Sequence, residues 1–227
     1  MTASQKRPLR QAYRLMHRAH GHLQWWPADS SFEICVGAIL TQNTSWRNVE
    51  LAIANLKGAR MLSPKKIRAL SHHNLAQLIR PAGYFNIKAK RLRNFVDVVV
   101  EHHGASLKRF FKGDTTTVRE RLLAINGVGP ETADSILLYA GGHSSFVIDA
   151  YTKRIFERHG WCNTNTNYND LQLLCTESLN HKRGAAKLDY WQDFHAQLVV
   201  VGNHYCKPRN PLCTECPLQT LLPVPVK

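Results

Sequence analysis

The amino-acid sequence predicts an all-α protein built from two helical lobes. Apolar residues recur at helical spacing through most of the 227 residues, for example across 46–57. Alternating strand patterns joined by hairpin turns are hard to find, although FVI and VVV are short apolar runs. The sequence shows neither a repeat of fixed period nor a low-complexity linker. Together these observations favour helices throughout.

Start and stop signals place the predicted helices along the chain. Ser31 is a candidate N-cap, and Pro64 and Pro130 suit the first helical position. One helix ends near Ile125 and the next begins at Pro130, so NGVGP forms a tight turn between them. The predicted helices cover residues 5–20, 31–41, 46–57, 64–71, 73–80, 87–102, 116–124, 130–140, 146–160, 171–182 and 187–206.

The charge of the chain points to a polyanionic partner. The net charge is +14 and the pI is near 9.8, an excess too large to be favoured as a merely solvated surface. DNA or RNA is the favoured partner, because phosphates dominate such attraction. No run approaches the roughly 18 apolar residues of a membrane helix. The basic N-terminus lacks the apolar core of a secretory signal, so we expect a cytoplasmic protein that is associated with DNA.

Three of the six cysteines crowd the C-terminus. Cys206, Cys213 and Cys216 follow the spacing C-x6-C-x2-C, while Cys35, Cys162 and Cys175 are scattered. In an intracellular chain this pattern suits a metal or a cluster better than a disulfide framework.

The stretch INGVGPET places a Gly-Val-Gly turn between two helices. Glycine allows positive φ and close backbone approach, and the N–H groups at a helix start bind anions. A nucleic-acid phosphate fits such a site without any base-specific contact. A tight turn between packed helices is the alternative, and an isolated Gly-x-Gly does not decide between the two.

Four separated segments resemble the endonuclease III superfamily of helix-hairpin-helix DNA glycosylases, known by its Gly-Pro-Asp signature. The likeness runs in the family's order from about Trp25 to Cys216. Its segments are GAILTQNTSWRNVE, RPAGYFNIKAKRL, INGVGPETAD with FVIDAYTKR, and CKPRNPLCTEC. Within the superfamily, WWPADSSFE, GAILTQNTSW and FNIKAKRL most resemble the 3-methyladenine DNA glycosylase III branch.

The resemblance implies an architecture and a partner. Residues 31–144 would form a six-helix barrel lobe with the hairpin, and residues 1–30 with 145–227 the second lobe with the cysteine loop. A damaged nucleotide of double-stranded DNA would be flipped into the cleft between them by a protein that acts as a monomer.

The resemblance also identifies Asp149 as the catalytic carboxylate, which would stabilise the cationic sugar and orient the attacking water. An N-cap of the helix AYTKRIF is the alternative role, and both can hold. Glu131 stands where bifunctional members carry a lysine that forms a Schiff base. Because a carboxylate cannot form an imine, we predict hydrolysis of the base without strand cleavage. Lys153 and Arg154 lie near Asp149 and leave a rescued lyase open, beside phosphate contact or a solvated face.

Further site residues follow from the same resemblance. Trp25, Trp26 and Trp46 would line a pocket for an electron-poor alkylated purine, or would only pack the core. Gln42 would fill the hole left in the duplex, or would be a capping or surface glutamine. The basic residues of NIKAKRLR form one helix face that is either solvated or in contact with the DNA backbone. The residues expected at a DNA phosphate are Gly127, Val128, Gly129 and Thr132.

The cysteine loop departs from the family pattern. Three cysteines match the family's [4Fe–4S] spacing, but the fourth position is Leu222. A three-cysteine cluster, a labile cluster, a loop without metal and a structural zinc held with His204 all stay open, and a retained or weakened cluster is favoured.

Other classes of function were weighed against a monofunctional glycosylase. An endonuclease III proper would remove oxidised pyrimidines or pyrimidine dimers and nick the strand, and Glu131 argues against the nicking. A non-catalytic damaged-DNA-binding protein would not need Asp149. An electron-transfer protein would need a robust cluster, which the missing cysteine argues against.

Overall fold

The computed structural model of the protein describes residues 3–223, and the side chains from Pro8 onward. Within that range the chain forms helices joined by turns and contains no β-strand, which confirms the all-α prediction. Among the described residues, no helix combines the length and the apolar character needed to cross a bilayer.

The backbone divides into two compact units. Trp26–His143 form one, named the hairpin unit here, while residues up to Trp25 and from Ser144 onward form the other, named the split unit. The lobe boundaries near residues 30 and 145 stay a prediction.

The hairpin unit is a set of helices around α2. α2 (Ser31–Leu40) is buried on nearly all sides because its sequence is apolar almost throughout, and it packs against α3, α6 and α9. Ser30 caps its start, since its hydroxyl accepts from Glu33 N–H at 3.2 Å. The remaining helices are α3 (Trp46–Gly58), α4 (Pro64–Ala69), α5 (His72–Leu78), α6 (Phe85–His103), α7 (Leu107–Phe110), α8 (Thr115–Leu123) and α9 (Pro130–Ser135), with a 3₁₀ turn at Arg80–Ala82.

The predicted turn between α8 and α9 is present. Arg119 on α8 donates to both carboxylate oxygens of the buried Asp134 on α9, at 2.8 and 3.0 Å. This two-bond pair fixes the angle between the two helices. After α9 the chain widens into a π-helical segment, Ile136–Gly141, instead of the regular helix expected to 140. Such a segment re-aims the side chains that follow it.

The split unit packs four helices. They are α1 (Ala3–His20), α10 (Ala150–Arg158), α11 (Tyr168–Leu179) and α12 (Gly184–His204), followed by 3₁₀ turns at Cys213–Glu215 and Gln219–Leu221. α12 is the centre, since both α1 and α10 pack against it. The buried Asp193 of α12 ties down the end of α1: its carboxylate accepts from Tyr13 Oη at 2.7 Å and from Leu23 N–H at 2.8 Å.

The prediction of a helix over 146–160 is wrong at its start, because α10 begins at Ala150. Residues 146–148 are buried without regular structure, and α11 side chains satisfy their backbone. Gln172 donates to Phe146 C=O at 2.8 Å, and Tyr168 Oη accepts from Ile148 N–H at 3.4 Å. These bonds replace the helical ones that the apolar run could otherwise have formed.

Candidate functional site

Asp149 lies at the start of α10, in the split unit. Its Oδ1 accepts from Thr152 N–H at 2.7 Å, so the residue is the helix N-cap. The side chain is 12% exposed, and Oδ2 lies 3.5 Å from His195 Nε2. One carboxylate oxygen is therefore committed to the helix, and the other faces a buried imidazole of α12.

His195 is a partner that the sequence motifs did not reveal. It is 5% exposed and lies within α12, outside every segment that carried the family resemblance. A histidine in the mostly apolar run FHAQLVVV is the signal that the sequence offers, and a satisfied core histidine gives the same pattern. The contact depends on α12 packing against α10, which spacing along the chain does not encode.

The surroundings of Asp149 keep its carboxylate ionised. Burial by itself raises the pKa, but the imidazole of His195 and the hydrogen bond from Thr152 N–H outweigh it and lower the pKa. A buried carboxylate that stays negative is suited to facing a developing positive charge.

Basic side chains near Asp149 have other partners. Arg154 donates from Nε to Cys206 C=O at 2.6 Å and from Nη2 to Gly202 C=O at 2.8 Å. Lys153 Nζ lies 3.8 Å from Glu157 and is partly exposed. Arg154 thus joins α10 to the end of α12.

The three C-terminal cysteines line one small cavity of about 10 Å³ in the split unit, and Leu222 lines it with them. Arg158 Nη1 lies 3.1 Å from Cys206 Sγ, and Leu218 N–H lies 3.5 Å from Cys216 Sγ. Thiolates are the ligands of iron–sulfur clusters, so the three cysteines could ligate a cluster here, whereas Leu222 offers no ligand atom. The other side chains that line the cavity are Arg158, His159, Tyr205 and Gln219.

A structural zinc held with His204 stays a prediction. No group of three His, Cys, Asp or Glu side chains among residues 3–223 is arranged to hold a single metal ion. His159 lines the cavity, but its Nδ1 lies 2.8 Å from Ile155 C=O and its Nε2 lies 3.3 Å from Leu218 C=O.

The Gly-Val-Gly turn holds Gln42, in the hairpin unit. Gly127 has φ +95°, which glycine tolerates and other residues rarely adopt. Gln42 Nε2 donates to Gly127 C=O at 3.1 Å and to Thr132 Oγ1 at 2.9 Å. Arg91 donates to Gln42 Oε1. Three segments of the family pattern thus meet here, and Thr132 is buried among them.

Two of the three predicted pocket tryptophans meet in the hairpin unit. Trp26 and Trp46 are edge-to-face with ring centroids 5.0 Å apart, and Tyr139 of the π-helical segment lies 5.4 Å from Trp26. Gly37 makes the room, because a Cβ there would be 3.2 Å from the Trp26 ring. Trp25 belongs to the split unit and is half-buried.

The interpretation of NIKAKRLR as one basic face is wrong. Lys88 is buried and donates to Leu40 C=O at 2.8 Å and to Ala82 C=O at 2.7 Å. Its ammonium group therefore caps the last carbonyls of α2 and of the 3₁₀ turn. Arg93 donates to Arg68 and Leu70 carbonyls, whereas Lys90 is exposed. These cations donate to buried carbonyl groups that have no helical partner. The charge pattern of the sequence does not indicate such contacts.

Comparison with known proteins identifies the family. The family described as HhH-GPD superfamily base excision DNA repair protein matches residues 36–181. The iron-sulfur binding domain of endonuclease III matches residues 206–221 and stops one residue before Leu222. A Methanocaldococcus jannaschii protein provisionally named as a DNA repair glycosylase is 44% identical over 209 residues, covering 91% of this chain and 92% of its own length. Endonuclease III of Thermotoga maritima is 28% identical over 185 residues, 82% of this chain and 79% of its own.

Solved structures agree with this assignment. The 3-methyladenine DNA glycosylase of H. pylori bound to 1,N6-ethenoadenine has a TM-score of 0.73 at 28% identity, over 88% of this chain and 97% of that one. An endonuclease III–DNA complex has a TM-score of 0.80 at 19% identity, over 98% and 96%, which shows the shared fold. The chain belongs to the HhH-GPD superfamily of base-excision repair proteins, and it is an endonuclease III-like DNA glycosylase.

Proposed function

We propose that the protein is a monofunctional glycosylase that hydrolyses the N-glycosidic bond of an alkylated purine in double-stranded DNA, with Asp149 as the catalytic carboxylate. The observation that carries the proposal is the geometry of the Asp149 carboxylate, which is largely buried, is bound through Oδ1 to Thr152 N–H, and lies through Oδ2 3.5 Å from His195 Nε2. A side chain held in this way needs little rearrangement when positive charge develops on a nearby sugar.

The reaction follows from that charge. The bond between C1′ and the base nitrogen breaks, and its electron pair leaves with the base. An alkylated purine that carries a positive charge departs as a neutral molecule. Asp149 stabilises the cationic sugar, a water oxygen bonds to C1′, and the water's proton passes to the carboxylate or to solvent. The products are the free base and an abasic site.

Glu131 supports hydrolysis without strand cleavage. It lies exposed in the first turn of α9, where a carboxylate suits the helix dipole but cannot form an imine with the sugar. Arg154, one of the two basic side chains near Asp149, is engaged with backbone carbonyls, and a guanidinium is not an imine-forming amine.

Aromatic surface supports the choice of substrate. Trp26 and Trp46 offer π-faces and edges to a flipped base, and a cationic alkylated purine gains from a π-face. We assign Trp25 to the same role. The H. pylori glycosylase, whose structure holds 1,N6-ethenoadenine, is 28% identical to this chain.

The hairpin and the cysteine loop complete the proposal. The backbone of Gly127, Val128 and Gly129, with Thr132, would grip a DNA phosphate for a protein that works as a monomer. Cys206, Cys213 and Cys216 would hold an iron–sulfur cluster whose contribution is structural. Its fourth corner would lack a protein thiolate, because Leu222 lies there.

Endonuclease III activity is the second candidate. Curated relatives with that name, such as the Thermotoga maritima protein, match at 28% identity. Such an enzyme would remove an oxidised pyrimidine and then nick the strand through a lysine imine.

One panel of duplexes tests these alternatives. Wild-type protein is incubated with duplexes carrying 3-methyladenine, 7-methylguanine, thymine glycol, uracil or 8-oxoguanine, and products are resolved with and without alkali. We expect breaks at alkylated purines only after alkali treatment. Breaks without alkali, or a protein–DNA adduct trapped by borohydride, would contradict the monofunctional mechanism.

Asp149→Asn tests the catalytic role on the same panel. Asparagine preserves the N-cap but removes the charge, and we expect the rate of base release to fall by about 10²–10⁴-fold. Asp114→Asn is the matched control, because Asp114 caps α8 in the same way through Thr117 N–H at 2.9 Å and is exposed. Normal base release by the Asp149 variant would sink the proposal.

A further inference from the structure

The side chain of Arg91 joins two parts of the hairpin unit that would each meet DNA. On one side Arg91 donates to Gln42 Oε1, and on the other it lies over Gly127 of the hairpin. Neither the family comparison nor the proposed catalytic chemistry assigns a role to this side chain.

The carboxamide of Gln42 has one orientation that satisfies its neighbours. Arg91 can only donate, so it must face Oε1, and Gly127 C=O can only accept, so it must face Nε2. Thr132 Oγ1 accepts from the same Nε2. Each of the two polar atoms of the Gln42 amide is therefore held by a different element: Oε1 by α6, and Nε2 by the hairpin and α9.

The stem of Arg91 is itself held by the hairpin. A Cβ on Gly127 would lie 2.3 Å from Arg91 Cγ and 3.0 Å from its Cβ and Cδ. The absence of a side chain at 127 therefore lets the aliphatic stem pack directly on the turn. Movement of the hairpin must move Arg91, and movement of Arg91 must move Gln42.

We infer that Arg91 is a positioning residue. It holds the Gln42 side chain in the orientation that enters the duplex, and it links that orientation to the position of the hairpin. The inference rests on the proposed function, in which the hairpin grips phosphate and Gln42 fills the gap left by the flipped nucleotide. Binding of the hairpin to the backbone would then present Gln42 in a fixed rotamer. This removes a conformational cost from nucleotide flipping.

A direct contact between Arg91 and a DNA phosphate is the competing explanation. Such a contact would affect affinity and its salt dependence, and the neighbouring Lys90, which is exposed on the same helix, would contribute in a similar way. Positioning would instead affect flipping at saturating protein.

The test uses Arg91→Met, which keeps the stem over Gly127 and removes the donors. Lys90→Met is the matched control, because it removes the same charge one residue away. The probe is a duplex with a tetrahydrofuran abasic analogue and 2-aminopurine on its 3′ side, which no glycosylase can turn over. The fluorescence change at saturation reports entry of Gln42 into the gap, and anisotropy reports affinity at several salt concentrations.

We expect Arg91→Met and Gln42→Ala each to lose most of the fluorescence change, and the double variant to lose no more than Gln42→Ala alone. Lys90→Met should retain the change. On a cleavable lesion, Arg91→Met should lower kcat on the order of tenfold with little change in KM.

Two outcomes would overturn the inference. In the first, Arg91→Met matches Lys90→Met in fluorescence and only weakens binding, which assigns Arg91 to a phosphate. In the second, the effects of Arg91→Met and Gln42→Ala add in full. Failure of the proposed function looks different: the wild-type protein releases no base from the lesion panel, while the abasic duplex still reports the coupling.

Discussion

The two units hold their candidate functional side chains in different ways. In the hairpin unit, Gln42, Gly127 and Thr132 hold one another, and all three lie in segments that carried the family resemblance. In the split unit, Asp149 is held by its own helix and by His195, which lies in none of those segments. The supports of the candidate residues thus lie within the family segments in one unit and partly outside them in the other, so those segments alone do not reveal every supporting contact.

In the hairpin unit, we expect the largest loss of stability from a substitution at Gly127. In Gly127→Ala the new methyl group would overlap the stem of Arg91, on a backbone with φ +95°. We expect a loss of about 2–3 kcal/mol in the free energy of unfolding, from overpacking and strain together. Urea denaturation of the DNA-free protein measures it.

Gly129→Ala is the control for that prediction. Gly129 has φ −88°, and a Cβ there would meet nothing within 4 Å. Its unfolding free energy should change by less than about 0.5 kcal/mol. Equal losses at the two glycines would show that Arg91 does not pack on Gly127 in solution.

In the split unit, substitutions at His195 test whether this side chain supports the carboxylate of Asp149. In His195→Leu the burial of Asp149 remains, but the opposing imidazole is gone, so the pKa of Asp149 rises. We expect kcat to fall on the order of tenfold, because Oδ2 loses its support. His195→Gln retains an N–H donor and should recover part of the loss.

The pH–rate profile separates this effect from simple unfolding. In the wild-type protein the pKa of Asp149 is lowered from 3.8, so the carboxylate stays active, and its share of stability persists, until the pH falls below that value. In His195→Leu the acid limb should move to higher pH. An unmoved limb would show that His195 does not support the ionised form.

The fold class could be predicted from the sequence, and much of the site could not. Helical periodicity predicted most helices because apolar faces must be buried at that spacing. The same reasoning extended a helix over 146–148, where α11 side chains satisfy the backbone instead. The sequence also placed Lys88 on a basic face that is either solvated or in contact with the DNA backbone, whereas its side chain is buried and donates to two carbonyls at the ends of other elements. His195, Arg91 and Lys88 share one cause: each contacts a segment that is distant in sequence.

Leu222→Cys tests whether the split unit can regain a complete set of cluster ligands. Leu222 lines the cavity of the three cysteines, so a thiol there would face the same space. We expect the iron content after anaerobic reconstitution to rise, and loss of iron to a chelator to slow by about tenfold, as when a missing ligand is supplied. Absorbance at the thiolate–iron bands measures both the iron content after reconstitution and the rate of iron loss to the chelator.

Leu221→Cys is a matched control for the extra thiol, since Leu221 is the neighbouring residue and is not among those that line the cavity. If both variants gain iron equally, the added thiol increases iron binding regardless of its position. The assignment of Leu222 to the position of the missing ligand is then wrong.

The smallest expected effect concerns the aromatic pair of the hairpin unit. In Gly37→Ala the new Cβ would lie 3.2 Å from the Trp26 ring, so that ring must shift by a few tenths of an ångström, while the 3.5 Å distance to Trp46 is an ordinary contact. The fold should lose no more than about 1 kcal/mol, since the rings are only half-buried and can yield. If these rings form the base pocket, the ratio of kcat/KM between 3-methyladenine and 7-methylguanine should change by a few-fold, on the order of 1 kcal/mol of discrimination.

Gly58→Ala, where a Cβ meets nothing within 4 Å, is the control. An altered unfolding free energy with an unchanged ratio would mean that the tryptophans only pack the core. The hairpin unit would then contribute its grip on DNA but not the choice of lesion.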